Sequence, residues 1–480
     1  MTGDAQVRLP SADDWDAARP VYVVWELTLA CDQRCGHCGS RAGRPRAREL
    51  DREECLDVVA QLAALGTREI TLIGGEAYLH RDWLAVIRAI VERGMLCTVQ
   101  TGGRRLDEAR LDAAIDAGLG ALGVSIDGPD AIHDQLRGVP GSAAAAWRLL
   151  ARARDRGLPT TVNTTVTPVA LPHLEPLFDR LVAVGVATWQ VGINVAMGRA
   201  ADGPGGLLQP HELLELVPRL AALARAGRAH GMSLQPGNTI GYFGPHEALL
   251  RHGGDRTRHW TGCNAGRNGM GIESDGTLKA CPSLPREDYS PGSVRDHSIA
   301  RMWEHDATRF LRTRTVDDLW GFCRTCAYAA DCLAGCSWVA HSFLGRPGNN
   351  PYCHHRALEL QRRGLRERIE WLAPPPGRPF DLGRFALWLE PADGRGGGER
   401  QVPPPWERSS AARRERALPR RLIPCPACGR HSTADDARCG ACGQDLARLD
   451  AERSVQLRRA KRALVRLRVL LDDVRGALES

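Results

Sequence analysis

The chain predicts an α/β fold: a partial (β/α)6 barrel, then a small cysteine-rich domain, a four-cysteine ribbon and a terminal helix. Three observations predict it. Apolar strand-like runs alternate with helical patterns six times between Val21 and about Gly227. Glycines and polar residues gather just past the ends of those strands, where parallel β/α barrels build their ligand sites. Fourteen of the sixteen cysteines fall into three spaced groups, leaving only Cys55 in a helical pattern and Cys97 in a strand as buried structural thiols.

The 480 residues exceed one domain's core, and two to three units are expected. Residues 1–20 form an irregular, acidic and polar lead without the apolar stretch of a secretory signal. No run of eighteen apolar residues exists, so a membrane span is not expected and the cytoplasm is the default compartment. In that setting clustered thiols point to metal rather than to disulfides. The net charge of +7 comes largely from an Arg-rich tail after Arg400, which leaves the body near neutral and argues against a nucleic-acid-binding surface.

Strands are expected at 21–29, 68–73, 96–101, 121–126, 160–166 and 188–195. Helices are expected at 51–65, 80–93, 107–117, 142–156, 173–184 and 210–226. The first strand leads into WELTLACDQRCGHCG, where Cys31, Cys35 and Cys38 are spaced C-x3-C-x2-C. Three thiolates so close can hold three corners of one metal–sulfur cluster and leave its fourth iron open for chemistry. Three unrelated thiols or part of a zinc site are the plain alternatives. Gly74-Gly75-Glu76 follows the second strand and Thr101-Gly102-Gly103 the third. Ser125 and Asp127 close the fourth, Asn163 and Thr165 lie late in the fifth, and Gly192 and Asn194 late in the sixth. One mouth therefore collects the candidate ligand groups.

C-x3-C-x2-C after a first strand resembles the signature of radical S-adenosylmethionine (SAM) enzymes, whose open iron is chelated by SAM. The resemblance implies that Gly74, Gly75 and Glu76 hold the SAM amino group, and that Ser125, Asp127 and Arg137, within SIDGPDAIHDQLRG, contact its ribose and carboxylate. Two glycines after a strand are also ordinary turn chemistry, and a strand-end Ser or Asp is as often a helix cap. The short GRA at 198–200 is similar to peptide-modifying members.

The second cysteine group reads Cys263, Cys281, then Cys323, Cys326, Cys332 and Cys336 as C-x2-C-x5-C-x3-C, then Cys353. This order resembles the SPASM extension of some radical SAM enzymes, which holds two auxiliary 4Fe–4S clusters. The resemblance implies one cluster on Cys323, Cys326, Cys332 and Cys353, and another on Cys263, Cys281 and Cys336 whose fourth ligand is unassigned. A pair of zinc sites is the alternative, since soft sulfur suits both metals. In sulfatase-maturing SPASM enzymes an Asp follows the cysteine equivalent to Cys281; Pro282 and Ser283 follow here, which weighs against that activity.

Domains are thus expected as a 21–230 radical SAM core and a 231–365 SPASM domain. A Pro-, Gly- and Arg-rich linker over 366–421 is expected to hold one ordered segment around FALWLE (385–390). Cys425, Cys428, Cys439 and Cys442, spaced C-x2-C-x10-C-x2-C, read as a structural Zn2+ ribbon over 422–446, with rubredoxin-like iron as the alternative. Residues 451–480 read as an amphipathic helix with a heptad seam through Leu457, Leu464, Leu471 and Leu478.

The resemblance implies reductive SAM cleavage to a 5′-deoxyadenosyl radical and hydrogen abstraction from a ribosomally made precursor peptide. A flavodoxin- or ferredoxin-type protein would donate the electron. Twenty residues ahead of the first strand leave no room there for a leader-binding domain, so a separate recognition protein, or the ribbon and helix, would serve. A dehydrogenase or epimerase acting on a sugar or aminoglycoside, and a non-catalytic iron–sulfur or zinc protein, are the rival readings.

Overall fold

The computed structural model describes residues 9–404, 422–433, 436–449, 451–454, 456 and 457. Six parallel strands appear where the apolar periodicity places them: β1 Tyr22–Thr28, β2 Glu69–Gly74, β3 Leu96–Thr101, β4 Ala121–Ser125, β5 Thr160–Val166 and β6 Thr188–Ile193. They are neighbours in chain order, each hydrogen-bonded to the next, as β/α repetition dictates. Intervening helices run over Arg52–Ala64, Trp83–Glu92, Glu108–Asp116, Ser142–Asp155, Leu174–Ala183 and Leu213–Ala229. Asp51 shows why the first begins where it does: its carboxylate accepts from Glu54 N at 3.0 Å while Glu54 accepts from Asp51 N.

Alternate strand positions differ in chemistry. Val23, Trp25, Ile70, Leu72, Cys97, Val99, Leu122, Val124, Val162, Trp189 and Val191 are fully buried. The alternate row carries polar groups instead: the Thr71 and Thr98 hydroxyls lie 2.7 Å apart, and Asn163 donates to Gln100. Gly123 sits in this row because a Cβ there would lie 1.9 Å from Gln100 Oε1. One side of the sheet packs an apolar core and the other is lined by buried and half-buried polar groups.

The sheet is larger than the six-unit pattern. β7 (Ser233–Pro236) extends the β6 edge in parallel, and β8 (Gly269–Ile272) pairs in parallel with β1. β9 (Thr277–Lys279) and β10 (Gly292–Ser293) continue antiparallel, for ten strands in all. These are two to four residues long, too short to show a period. A helix at Asp130–Arg137, ended by Gly138 at φ +64°, was also not evident from the periodicity.

The 366–421 linker is corrected over its first half. β11 (Leu365–Ala373), β12 (Arg384–Pro391) and β13 (Glu399–Gln401) form a three-stranded antiparallel sheet with FALWLE in its central strand. The prolines at 374–376 and the glycines at 394–398 that suggested a linker occupy the two connections, while the strands between them stay paired with one register shift between Trp371 and Ala373.

The described chain divides into two compact units: residues 1–242 with 261–418, and 243–260 with 419–480. In the second, β14 (Leu422–Pro424) and β15 (His431–Thr433) form a hairpin. Residues 446–449 and 451–454 are helical, and the heptad seam beyond Leu457 lies outside the described residues. No helix among the described residues is long and apolar enough to cross a membrane.

Candidate active site

β1 ends at Thr28, and the chain turns into the loop carrying Cys31, Cys35 and Cys38. Glu49 anchors the turn, accepting from Thr28 Oγ1 and Leu29 N, each at 2.8 Å. Gln33 N donates to Cys31 Sγ and Ala42 N to Cys38 Sγ, both at 3.4 Å, and Arg137 Nη1 lies 3.8 Å from Cys35 Sγ. Burial pushes the Cys31 thiol well above its ordinary range, and charge on Glu76, Cys35 and Cys38 adds to the shift. Cys35 is raised chiefly by burial, with Arg137 opposing. Three neighbouring sulfurs, Cys35 buried and Cys31 and Cys38 half-buried, would repel one another as thiolates, yet are met by N–H donors, and form a donor set that a cationic metal centre would deprotonate.

The glycines after β2 are dictated by this loop. A Cβ on Gly74, at φ +153°, would lie 2.1 Å from Thr28 O; one on Gly75 would lie 2.0 Å from Ala30 O and 2.7 Å from Cys31 Cβ. Their absence lets Gly75 N and Glu76 N donate to Thr28 O and Ala30 O, both at 2.8 Å. Glu76, 2% exposed, accepts from Gly102 N at 2.9 Å and from the Thr101 hydroxyl. Burial pushes its carboxyl up to about 7, against the pull of those two donors, with the nearby Asp32 charge adding to the rise. Atoms of Cys31, Asp32 and Glu76 all lie within 4.8 Å of one another.

Ser125 ends β4, partly buried and in register with Asn163. The Asp127 carboxylate is turned onto protein groups: it accepts from Arg137 Nε at 2.8 Å and from Thr165 N at 3.0 Å, and His37 Nε2 lies 3.6 Å away. Burial raises the Asp127 carboxyl, but Arg137, His37 and His133 together hold it below the usual range. Asp127 thus orients Arg137 beside Cys35. The buried His37, pushed down to about 4 by burial, was not singled out from sequence; its place between Cys35 and Cys38 was the available signal.

GRA at 198–200 clamps the cysteine loop. Arg199 N donates to Cys38 O at 2.9 Å, its Nε to Cys35 O at 2.7 Å and its Nη1 to Ala42 O at 3.0 Å. Gly198, at φ +60°, is required because a Cβ would lie 2.3 Å from Gly39 O and 2.4 Å from Cys38 O. Asp32 is held in turn by the Tyr78 hydroxyl at 3.0 Å.

Six of the seven cysteines of the second group influence one another in two sets of three. Cys323 and Cys353 both act on the charge of Cys326, and Cys263 and Cys281 both act on that of Cys336. Cys332 ends the short helix Ala329–Cys332. Leu333, Ala334 and Gly335 then take three successive left-handed conformations (φ +49°, +61° and +58°), a costly turn that delivers Cys336. Tyr242 touches both sets: its hydroxyl accepts from Cys336 N at 3.0 Å, and its carbonyl lies 3.7 Å from Cys353 Sγ. Cys55 and Cys97 are wholly buried and lie in neither set.

In the second unit, Cys425 and Cys442 Sγ lie 3.7 Å apart, as do Cys428 and Cys439, and all four sulfurs fall within 4.8 Å. Gly429 and Gly443 take left-handed φ of +75° and +72°, the tight turn of each knuckle. The set fits one tetrahedral metal ion.

The sequence matches the model of the Radical SAM superfamily over residues 25–181 and that of the SPASM iron–sulfur cluster-binding domain over 263–327. It is 25% identical to an AdoMet-dependent heme synthase of Nitratidesulfovibrio vulgaris, over 70% of this chain and 93% of that one. It is 27% identical to a PqqA peptide cyclase of Ruegeria pomeroyi, over 74% and 94%. Its fold is similar to that of Streptococcus suis SuiB bound to the precursor peptide SuiA, with a TM-score of 0.55 at 15% identity over 70% of this chain and 76% of that one. It is similar too to anSMEcpe with bound AdoMet, with a TM-score of 0.56 at 17% identity over 71% and 96%.

Proposed function

We propose that this chain, which carries radical SAM and SPASM domains, is an oxidoreductase-type peptide maturase that binds SAM at the barrel mouth and modifies a ribosomally made peptide. The observation that carries the reading is the convergence of Cys31, Cys35 and Cys38 with Gly74-Gly75-Glu76 at one end of the parallel sheet. The donor chemistry fits a 4Fe–4S cluster with one iron left for SAM, because among the described residues three thiols and no fourth are gathered there. When bound, that pair supplies a 5′-deoxyadenosyl radical able to take a hydrogen atom from an unactivated C–H bond.

The chain's own residues bind, orient and exclude water. Glu76 and the carbonyls beside Gly74 and Gly75 form an acceptor set suited to an ammonium. Asp127 holds Arg137 so that its guanidinium faces Cys35 and remains a cation for a carboxylate. Ser125, at the end of β4, offers a hydroxyl toward a ribose. Gly198 and Arg199 brace the cysteine loop so that its three sulfurs keep one geometry.

Cys323, Cys326, Cys332 and Cys353 would hold one auxiliary 4Fe–4S cluster, and Cys263, Cys281 and Cys336 another. Cys425, Cys428, Cys439 and Cys442 would hold Zn2+. A flavodoxin- or ferredoxin-type donor and a separate leader-recognition protein would complete the system, which we place in the cytoplasm. The peptide substrate is supported by the named activity of the PqqA peptide cyclases and by the peptide-bound SuiB. A small-molecule substrate is the second reading, favoured by the heme synthases among the relatives.

The test incubates the reduced, iron-loaded chain with SAM, with and without a short peptide encoded beside its gene, and reads masses. 5′-Deoxyadenosine together with a mass change on the peptide is expected. 5′-Deoxyadenosine with an unaltered peptide would turn the reading toward a small molecule. None at full iron loading would refute radical SAM activity.

A further inference from the structure

The connection between β11 and β12 sets one aromatic ring on a buried amine. It covers residues 374–383, of which Pro374, Pro376, Gly377, Arg378 and Pro379 are exposed. Phe380 is half-buried at φ +56°, a left-handed conformation that an aromatic residue keeps only where its contacts hold it. Its ring centroid lies 4.0 Å from Lys279 Nζ and 5.9 Å from the guanidinium carbon of Arg46. Beside it, the Asp381 carboxylate accepts from Arg41 Nε at 2.7 Å, and the Asp381 carbonyl accepts from Gly198 N at 2.8 Å. The connection is thus latched to the cysteine loop and to the glycine that braces it.

Lys279 ends β9 and is fully buried. Glu273 Oε1 lies 2.7 Å from its Nζ, and Leu284 O accepts from it at 2.8 Å. An ammonium has three donors, and the Phe380 ring stands in for a third acceptor. Arg46 ties this group to β1: its Nη2 lies 3.0 Å from Glu273 Oε2, and its Nε donates to Glu26 Oε1 at 2.9 Å. The covered group therefore joins the strand that leads to Cys31 with the strand that leads to Cys281. Composition marks the same residue. Of the 64 lysines and arginines only Lys279 and Lys461 are lysine, while Arg137, Arg314 and Arg356 are all buried guanidinium groups. A compact ammonium differs from a planar guanidinium in that one donor can change partner while the other two hold.

We propose that residues 374–383 are a lid on the barrel mouth, seated by Phe380 on Lys279, and that lifting it presents the Lys279 ammonium to an acceptor oxygen of the substrate. The inference rests on the reading that the substrate enters this mouth. Glu273 and Leu284 O keep the lysine in place while its third donor exchanges the ring for an oxygen. The movement is confined to a connection, so β11 and β12 keep their pairing.

The test acetylates amines with N-acetoxysuccinimide on the full, iron-loaded chain without oxygen. The rate at Lys279 is read by peptide mass spectrometry against the denatured chain. Phe380→Gly, which suits a left-handed φ, and Asp381→Ala, which removes the latch to Arg41, should each raise that rate tenfold or more. Arg378→Ala, an exposed side chain on the same connection, should leave it unchanged, and all three should keep the circular dichroism of the unsubstituted chain. A peptide that gains mass in the SAM assay should then protect Lys279 in the Phe380→Gly chain. Labelling of the unsubstituted chain as fast as the denatured one, no rise in either lid variant, or an equal rise in Arg378→Ala overturns the lid. A peptide that is modified yet leaves Lys279 unprotected overturns the substrate contact. Where no peptide is modified but both lid variants uncover Lys279, the lid is supported and it is the peptide reading that fails.

Discussion

Gly198→Ala is the sharpest test of how the barrel holds its cysteine loop. The residue sits at φ +60°, and an added methyl would meet two backbone oxygens, Gly39 O at 2.3 Å and Cys38 O at 2.4 Å. Two costs arise. A non-glycine residue in the left-handed region loses about 1–2 kcal/mol, and overpacking against atoms that cannot rotate away adds about 1–3 kcal/mol. Together about 2–5 kcal/mol must be relieved locally or lost from stability. The cheapest relief is movement of the loop that Arg199 ties down at Cys35 O, Cys38 O and Ala42 O. Displacement of Cys38, with retention of the rest of the fold, is therefore expected. The assay pairs an iron count with the change that SAM induces in the resonance spectrum of the reduced centre. Gly205→Ala is the control, since nothing lies within 4 Å of a Cβ there and its φ is not left-handed. A Gly198→Ala chain with the iron content, SAM response and denaturation midpoint of the Gly205→Ala control would refute the clamp.

Glu76→Gln removes the charged acceptor proposed for the SAM ammonium and should weaken SAM binding by about 1.5–3 kcal/mol, roughly ten- to a hundredfold, measured by equilibrium titration. Glu273→Gln leaves the fully buried Lys279, whose ammonium lies 2.7 Å from that carboxylate, without its anion, and should cost about 3–5 kcal/mol in denaturant titration. Burial pushes the Glu273 carboxyl up, but Lys279, Arg46 and Arg286 outweigh it and hold the group below its ordinary 4.5. Its contribution is thus present above about pH 4.5 and lost as pH falls through the lower folded value, so the variant and the unsubstituted chain should converge in acid. Cys425→Ser with Cys428→Ser should remove one zinc per chain by elemental analysis and leave the iron count unchanged; zinc retained in that variant would place the metal elsewhere.

Local periodicity carried the six central strands and their helices, because each buries residues at a spacing that neighbours in sequence impose. The same holds for the cysteine spacings and for the knuckle glycines, whose turns close within a few residues. Gly74 and Gly75 were legible as a motif, but their reason was not: they make room for Thr28 O, Ala30 O and Cys31, some forty-five residues earlier in the chain. Asp127 was expected to meet ligand directly, and only the folded chain shows it committed to Arg137 and Thr165 N. The β11–β13 sheet was hidden because its prolines and glycines dominate composition while its ladder pairs residues far apart. The sequence by itself determined the six central strands, their helices and the spacing of the cysteines; the tertiary structure decided the added edge strands, the β11–β13 sheet and which backbone oxygens forbid a side chain. Those depend on distances between segments remote in the chain, which no local pattern encodes.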